Sequence, residues 1–403
     1  MRTGIILDGN FMTDQRVINE VNILEEAGHR IFVLNIPSGI TPPVIDYSKN
    51  ISLVKIPFSK KIDNYLFALE NLLPFYELLW YREIRNFAKK YKIEVLHAHD
   101  LYLAKAAGRV AKDLKIPLIL DLHENYPAAI NEYRWAIRFP ARLIVRPGKW
   151  RKKEKKYLSF ADRIIVLSRS FRDSLISKYP EIDPGKIFVY PNVPDIRKLL
   201  SFEIHKEIFP SEDKEIIFYF GVISKRRGIH TAIQALEAVL PVHPRLHLLL
   251  IGPVDKAERD EFRKLFLKDN LKDHVTYYSW KDIDEFPSFV DCSQVCISPL
   301  LKNPQHESGV ANKIFQYMLF GKPLLVSDCT PQLEIINETG CGLAFKNGDP
   351  ADMALKLSEL LSDPAALISM GQNGRKAIIE EYNTEIQGAE ILKAYANQEI
   401  NKG

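Results

Sequence analysis

Apolar positions along this chain fall into short unbroken runs, separated by longer stretches in which they recur at helical spacing. In the first half the runs Thr3–Asp8, Arg30–Ile36, Ile51–Pro57, Glu94–His99, Pro117–Leu122, Arg163–Ser168 and Lys186–Tyr190 predict strands. Continuous apolar runs, as opposed to alternating ones, suit parallel strands covered on both faces. Between them Val17, Val21 and Leu24 mark a helix over 13–27, with Thr13 as its candidate cap and Gly28 as its stop. A long helical stretch over 65–91 contains Pro74, which is expected to start or kink a segment. The second half repeats the alternation, with strands predicted at Glu215–Gly221, Leu246–Gly252, His274–Ser279, Gln294–Ser298, Pro323–Ser327 and Gly342–Phe345. Alternating βα units on both sides predict two parallel-sheet α/β domains of the Rossmann-like kind.

The 403 residues suffice for two such cores. Turn chemistry at Pro191-Asn192-Val193-Pro194-Asp195 and the irregular Phe209-Pro210-Ser211 place the boundary between 191 and 215. The reading is a first domain at 1–200 and a second at 201–384. A final helix, 385–403, is expected to pack back on the first.

Charge divides unevenly. Residues 1–200 carry 33 Lys and Arg against 22 Asp and Glu, whereas 201–403 carry 22 against 29. The first half therefore suits an anionic surface or acceptor. The basic stretch 134–156 interleaves ten Lys and Arg with Trp135, Phe139 and Trp150, and carries one acid, Glu154. It reads either as a solvated connection or as a contact with an anionic membrane surface. No nucleic-acid module appears, so nucleic acid is not expected as a partner. No secretory leader or spanning run is evident, which predicts a cytoplasmic protein, at most peripheral on the inner face of the membrane. Cys292, Cys296, Cys329 and Cys341 form no CxxC pair, which fits reduced thiols in that compartment.

Ligands of open α/β sheets bind beyond the carboxyl ends of the strands. After the first strand comes Asp8-Gly9-Asn10, a loop that is not a dinucleotide fingerprint but feeds a helix N-terminus, where backbone N–H groups favour an anion. Two His-acid clusters end adjacent strands, His97-Ala98-His99-Asp100 and Asp121-Leu122-His123-Glu124. They are either polar strand caps or groups that hydrogen-bond sugar hydroxyls and stabilise charge. His97 and His99 would suit a metal, but the sequence offers no evident third ligand, so no metal site is expected. In the second half, Gly221 to Gly228 carries Lys225, Arg226 and Arg227 between a strand and a helix, a candidate diphosphate clamp. Ser308-Gly309 leads into a helix with Lys313 in its first turn and Gln316 one turn on, placed to hold ribose hydroxyls.

These motifs, in this order and over nearly the whole chain, resemble those of the retaining family-4 type (group 1) glycosyltransferases with a GT-B fold. Asp14-Gln15-Arg16-Val17 through Glu20, Leu24 and Gly28-His29 is similar to their N-terminal signature. Asn312-Lys313-Ile314-Phe315-Gln316-Tyr317-Met318 with Gly321-Lys322-Pro323 is similar to their N-K-x-F-E-Y-M…G-K-P. The resemblance implies two domains facing across a cleft, the second binding a nucleotide diphosphate-sugar and the first an acceptor, either a polysaccharide or a lipid-linked glycan. It implies that Arg227, Lys313, Gly309, Lys225 and Arg226 hold the diphosphate. Gln316, Trp280 and Gly252 would face the nucleoside, and His123 and Glu124 the transferred sugar. Gly9, Asn10, His97, His99 and Asp100 would line the acceptor side. No cofactor is expected besides the sugar nucleotide, which is a co-substrate. The sequence departs from the family pattern at Ser308 and Gln316, where two Glu are usual, and at Val222, where an Arg is usual. A second reading follows from these departures: a catalytically weak relative that binds a sugar nucleotide and acts as a partner in glycan assembly.

Overall fold

The computed structural model describes residues 1–396 except 40, 71, 133–135, 137, 138, 140, 147 and 211. It divides into two compact units, Met1–Pro191 with the chain from Gln387, and Asn192–Ile386. The division falls at Pro191-Asn192, not at 200, because the turn and short helix that follow are tied to the second unit. Asp195 caps the helix Ile196–Leu200, Arg197 Nε donates to Glu385 Oε1 at 2.6 Å, and Pro194 O accepts from Thr384 N at 3.3 Å.

In the first unit the strands are β1 (Arg2–Ile6), β2 (Arg30–Asn35), β3 (Val44–Asp46), β4 (Ile51–Lys55), β5 (Val95–His99), β6 (Leu118–Asp121), β7 (Arg163–Val166) and β8 (Ile187–Val189). They form one sheet in the order β3-β4-β2-β1-β5-β6-β7-β8. Every pairing is parallel except β3 with β4. That exposed antiparallel edge strand is absent from the sequence reading, since three exposed residues leave no apolar run. The order reverses at β1/β5, so the connections that leave these two strands run to opposite faces and open a crevice at their carboxyl ends.

Helices cover both faces. Gln15–Glu26 is capped by Asp14, whose side chain accepts from Val17 N at 3.2 Å. Thr13, the expected cap, instead closes a short 3-10 turn over Phe11–Thr13. Pro74 occupies the N-cap position of the helix Phe75–Tyr91, separate from Lys60–Ala68 before it. The C-terminal helix runs Thr384–Tyr395; residues 397–403 of the expected 385–403 lie outside the described residues.

The second unit has β9 (Glu215–Phe220), β10 (Leu246–Ile251), β11 (Val275–Tyr278), β12 (Val295–Ser298), β13 (Leu324–Ser327) and β14 (Gly342–Phe345). All are parallel, in the order β11-β10-β9-β12-β13-β14. Its core joins Ile217, Leu248, Ile297 and Leu325 of the sheet to Ile233, Leu236 and Leu357 of the helices. Here the switch lies at β9/β12, which selects the segments after those two strands as the ligand crevice.

Candidate active site

Both segments at the β9/β12 switch are held by close backbone packing. A Cβ on Gly228, whose φ is 73°, would lie 1.6 Å from Pro299 O, just beyond β12. Only glycine supplies both that left-handed conformation and that clearance. Leu301 N donates to Arg226 O at 3.1 Å, and Arg226 Nη1 donates to Gln305 Oε1 at 3.2 Å. Gly252, at the end of β10, is equally constrained, since a Cβ there would meet Gly221 O at 2.2 Å.

Lys313 lies in the first turn of the helix Asn312–Leu319 and reaches back over β9. Its Nζ sits 3.6 Å from the centroid of Tyr219. The side chain is buried, and that burial, reinforced by the charge of Arg227, pushes the ammonium well below the usual lysine range. Arg227 and Lys313 therefore share one electrostatic neighbourhood at the switch. No carboxylate pairs with Lys313 among the described residues.

Of the predicted cations, Lys225 is engaged away from the switch. Lys225 Nζ pairs with Glu261 Oε1 at 2.7 Å, and its backbone N–H donates to Glu258. Gly309 is extended, three residues before the helix. Gln316 is half-buried on the same helix face as Lys313, three positions on. Trp280 is largely exposed, its indole N–H donating to Asp282 at 3.3 Å. Glu307 is engaged at Thr330 N, the start of the helix Thr330–Thr339, and the buried Ser308 donates to Gln305 O at 2.6 Å. Sequence reasoning missed His306. Its Nδ1 lies 2.7 Å from Leu301 O, and burial followed by the charge of Arg227 pushes the ring down to about 4. Its only signal in the sequence is its place in the segment after β12.

In the first unit the tips of β1, β5 and β6 bring Gly9, Asn10, Asp100, His123 and Glu124 to one end of the sheet. Asn10 Oδ1 accepts from Met12 N at 3.3 Å, and its amide donates to Ser38 Oγ at 3.2 Å. Asp100 takes φ 71°, a strained conformation for a residue with a Cβ. Burial, outweighing the opposing charge of His123, raises its carboxyl to about 7. Tyr102 Oη lies 2.9 Å from both Asp100 and Asp8.

His123 Nε2 lies 2.8 Å from His99 Nδ1 and 3.2 Å from Asp121 Oδ2. Burial alone would lower this imidazole, but Asp100 and Asp121 outweigh it and hold it up at about 10, so it carries a proton. Asp121 is fully buried. Burial would raise it, but Arg16, bidentate at 2.8 Å on each oxygen, keeps it well below the usual carboxylate range.

His97 and His99 do not line an open acceptor surface, as the sequence reading had them. Both are buried under the helix Gln15–Glu26, and His97 also lies against Tyr395, so their effect on any acceptor is indirect. Glu20 lies between them, 3.7 Å from His97 Nε2 and 4.0 Å from His99 Nε2. The sequence offered no third ligand beside the two histidines. The structure brings Glu20 and Asp121 to them, with all four ligand atoms within 4.8 Å of one another. Burial lowers both imidazoles, and burial together with Asp121 raises Glu20.

Two α/β units with cationic and histidine-rich strand tips suit a glycosyltransferase. Family profiles agree: Glycosyltransferase Family 4 matches residues 15–198 and Glycosyl transferases group 1 matches residues 201–377. The chain belongs to this glycosyltransferase family. It is similar to the capsular polysaccharide biosynthesis glycosyltransferase CapM of Staphylococcus aureus, at 23% identity over 45% of this chain and 46% of that one. The chain thus spans about half of CapM. It is also similar to the alpha-D-kanosaminyltransferase of Streptomyces kanamyceticus, at 21% over 91% and 94%. Among solved structures, sucrose-phosphate synthase from Thermosynechococcus elongatus superposes with a TM-score of 0.73, at 19% identity over 98% of both chains. Anabaena HepE in complex with UDP-glucose gives 0.70, at 13% identity over 98% and 99%. These structural likenesses define the GT-B fold.

Proposed function

We propose that this chain transfers a sugar, with retention of anomeric configuration, from a nucleotide diphosphate-sugar to a glycan acceptor. The observation that carries the reading is the buried Lys313, which feels the charge of Arg227, at the β9/β12 switch, two basic groups where open α/β sheets take their ligands. Departure of the nucleoside diphosphate builds negative charge on phosphate oxygens, and fixed cations in a dry site stabilise it most effectively. Gln316 is assigned to the ribose, and Gly252 and Trp280 to the nucleoside side. The UDP-glucose in the HepE complex supports a sugar nucleotide as the donor class. His123, protonated and oriented by Asp121, is assigned to charge stabilisation near the transferred sugar, with Glu124 beside it. No covalent nucleophile is assigned. A melting-temperature screen of nucleotide sugars tests the donor, since a ligand of the folded state raises the transition. Arg227→Ala is expected to lower the transfer rate by about 10-fold or more. An unchanged rate in the folded variant removes the clamp.

The acceptor is assigned to the tips of β1, β5 and β6, near Gly9, Asn10 and Asp100. We infer that it is a polysaccharide or a lipid-linked glycan, used from the cytoplasmic side. Supporting the lipid-linked form, Ile62, Tyr65, Leu72, Leu73 and Phe75 are exposed near Lys60 and Lys61, and Lys60 reaches Asp8 just past β1. No helix among the described residues is long and apolar enough to cross a membrane. Contact would therefore be peripheral, through these residues and the described part of 134–156, which exposes Arg142, Leu143, Ile144 and Arg146. Flotation with anionic vesicles tests this; no binding at low salt discards it. The second reading, a sugar-nucleotide-binding partner of low turnover, is motivated by Gln316 and by Ser308, whose hydroxyl is already engaged. Turnover of a donor panel separates the two.

A further inference from the structure

We propose that Glu20, His97 and His99, with Asp121 at the fourth corner, form a buried structural site for a divalent first-row metal ion of the zinc type. The chain places these groups together for a simple reason. His97 and His99 alternate on β5 and so project to one face. Asp121 is the register partner of His99 on β6. Glu20 sits on the covering helix one turn past Arg16.

The atoms that face one another are without hydrogen-bond partners. Glu20 Oε2, His97 Nε2 and His99 Nε2 are buried and unsatisfied among the described residues, while Glu20 Oε1 faces Arg16. Each such group costs about 1–3 kcal/mol if nothing fills the gap. The far side of each group, by contrast, is engaged. His97 Nδ1 lies 2.8 Å from the Tyr395 hydroxyl and His99 Nδ1 lies 2.8 Å from His123 Nε2. Arg16 grips Asp121 and lies 3.1 Å from Glu20 Oε1. That is the pattern of metal ligands oriented by outer partners. For His99 it requires Nδ1 to carry the hydrogen and donate to His123 Nε2, so filling the site displaces the proton that His123 holds on that nitrogen in the metal-free protein.

Two imidazoles with carboxylate oxygens suit zinc and its first-row neighbours. A tetrahedral ion with bonds of roughly 2.0–2.2 Å spaces its ligands about 3.4 Å apart. The Glu20-to-imidazole distances of 3.7 and 4.0 Å need contract only slightly. All four corners are protein groups, none open to solvent, so the site is closed and its role is to fix the helix, β5 and β6 together. Through His99 it would also hold His123, and through His97 it would hold Tyr395.

The competing occupant is a single water, which would bridge the same atoms. The test uses the full chain, purified without a polyhistidine tag, and elemental analysis by mass spectrometry. The expected result is about one zinc, or another first-row metal, per chain, removed by chelation with a drop in melting temperature and restored by zinc. Reloading with Co(II) should give the visible absorption of a tetrahedral site, a readout that needs no variant. Glu20→Gln should lose the metal, and Tyr395→Phe should weaken binding about 10- to 100-fold. Metal far below stoichiometry, with no response of the melt to zinc and no cobalt band, overturns the proposal in favour of water. Metal retained in folded Glu20→Gln also overturns it, as adventitious binding.

Discussion

Replacing Lys313 with Met should move stability and donor binding in opposite directions. The ammonium is buried beside the guanidinium of Arg227, without a carboxylate partner among the described residues, and its proton affinity is depressed accordingly. Met keeps the length and apolar stem while removing a charge that costs energy to bury. Against that gain stands the loss of the contact with Tyr219, a cation-aromatic pairing at 3.6 Å, worth about 0.5–2 kcal/mol. The net expectation for the ligand-free protein is a change between zero and about 2 kcal/mol of stabilisation. For a domain of this size that corresponds to a rise of at most about 4–8 °C. Binding should suffer, because a charge-assisted hydrogen bond contributes about 1.5–3 kcal/mol, so affinity for a nucleoside diphosphate falls about 10- to 100-fold. Melting curves without ligand and calorimetric titration with UDP, GDP and ADP measure the two sides. A variant that melts several degrees lower while binding its diphosphate as well as the parent would make Lys313 a structural prop, and the argument for a diphosphate clamp would fail.

Other consequences follow from the same geometry. Gly228→Ala should destabilise the second unit by about 3 kcal/mol or more, seen as a lower denaturation midpoint, because the added carbon meets Pro299 O in a left-handed turn; a midpoint unchanged from the parent contradicts the packing. Lys225→Ala should leave transfer within about 3-fold of the parent, since its ammonium is spent on a largely exposed pair with Glu261. Diphosphate binding should take up protons. The free site holds Lys313 below its ordinary value of 10.5, and a bound anion raises it again, so affinity declines as pH rises between the two values. The same depression means the unfolded chain holds the proton more tightly, so this group's contribution to ligand-free stability increases with pH up to about 10.5. Titrations in two buffers of different ionisation enthalpy should report the uptake, and Lys313→Met should abolish it.

The sequence by itself determined the succession of strands and helices, because each depends on neighbours three or four residues away at most. Unbroken apolar runs mark buried parallel strands, and the groups that follow them must stand at strand tips. That reasoning found the segments of Arg227, Lys313, Asp100 and His123. What it could not supply is which side chains are already spoken for. Lys225 looked available, yet Glu261 engages it. His97 and His99 looked like open strand-end groups, yet the helix bearing Glu20 and a tyrosine 298 positions beyond His97 seal them inside. Burial, pairing and the resulting proton affinities arise from contacts between residues remote along the chain. Only the packing of helices onto the finished sheets decides whether a polar strand tip faces solvent or another side chain.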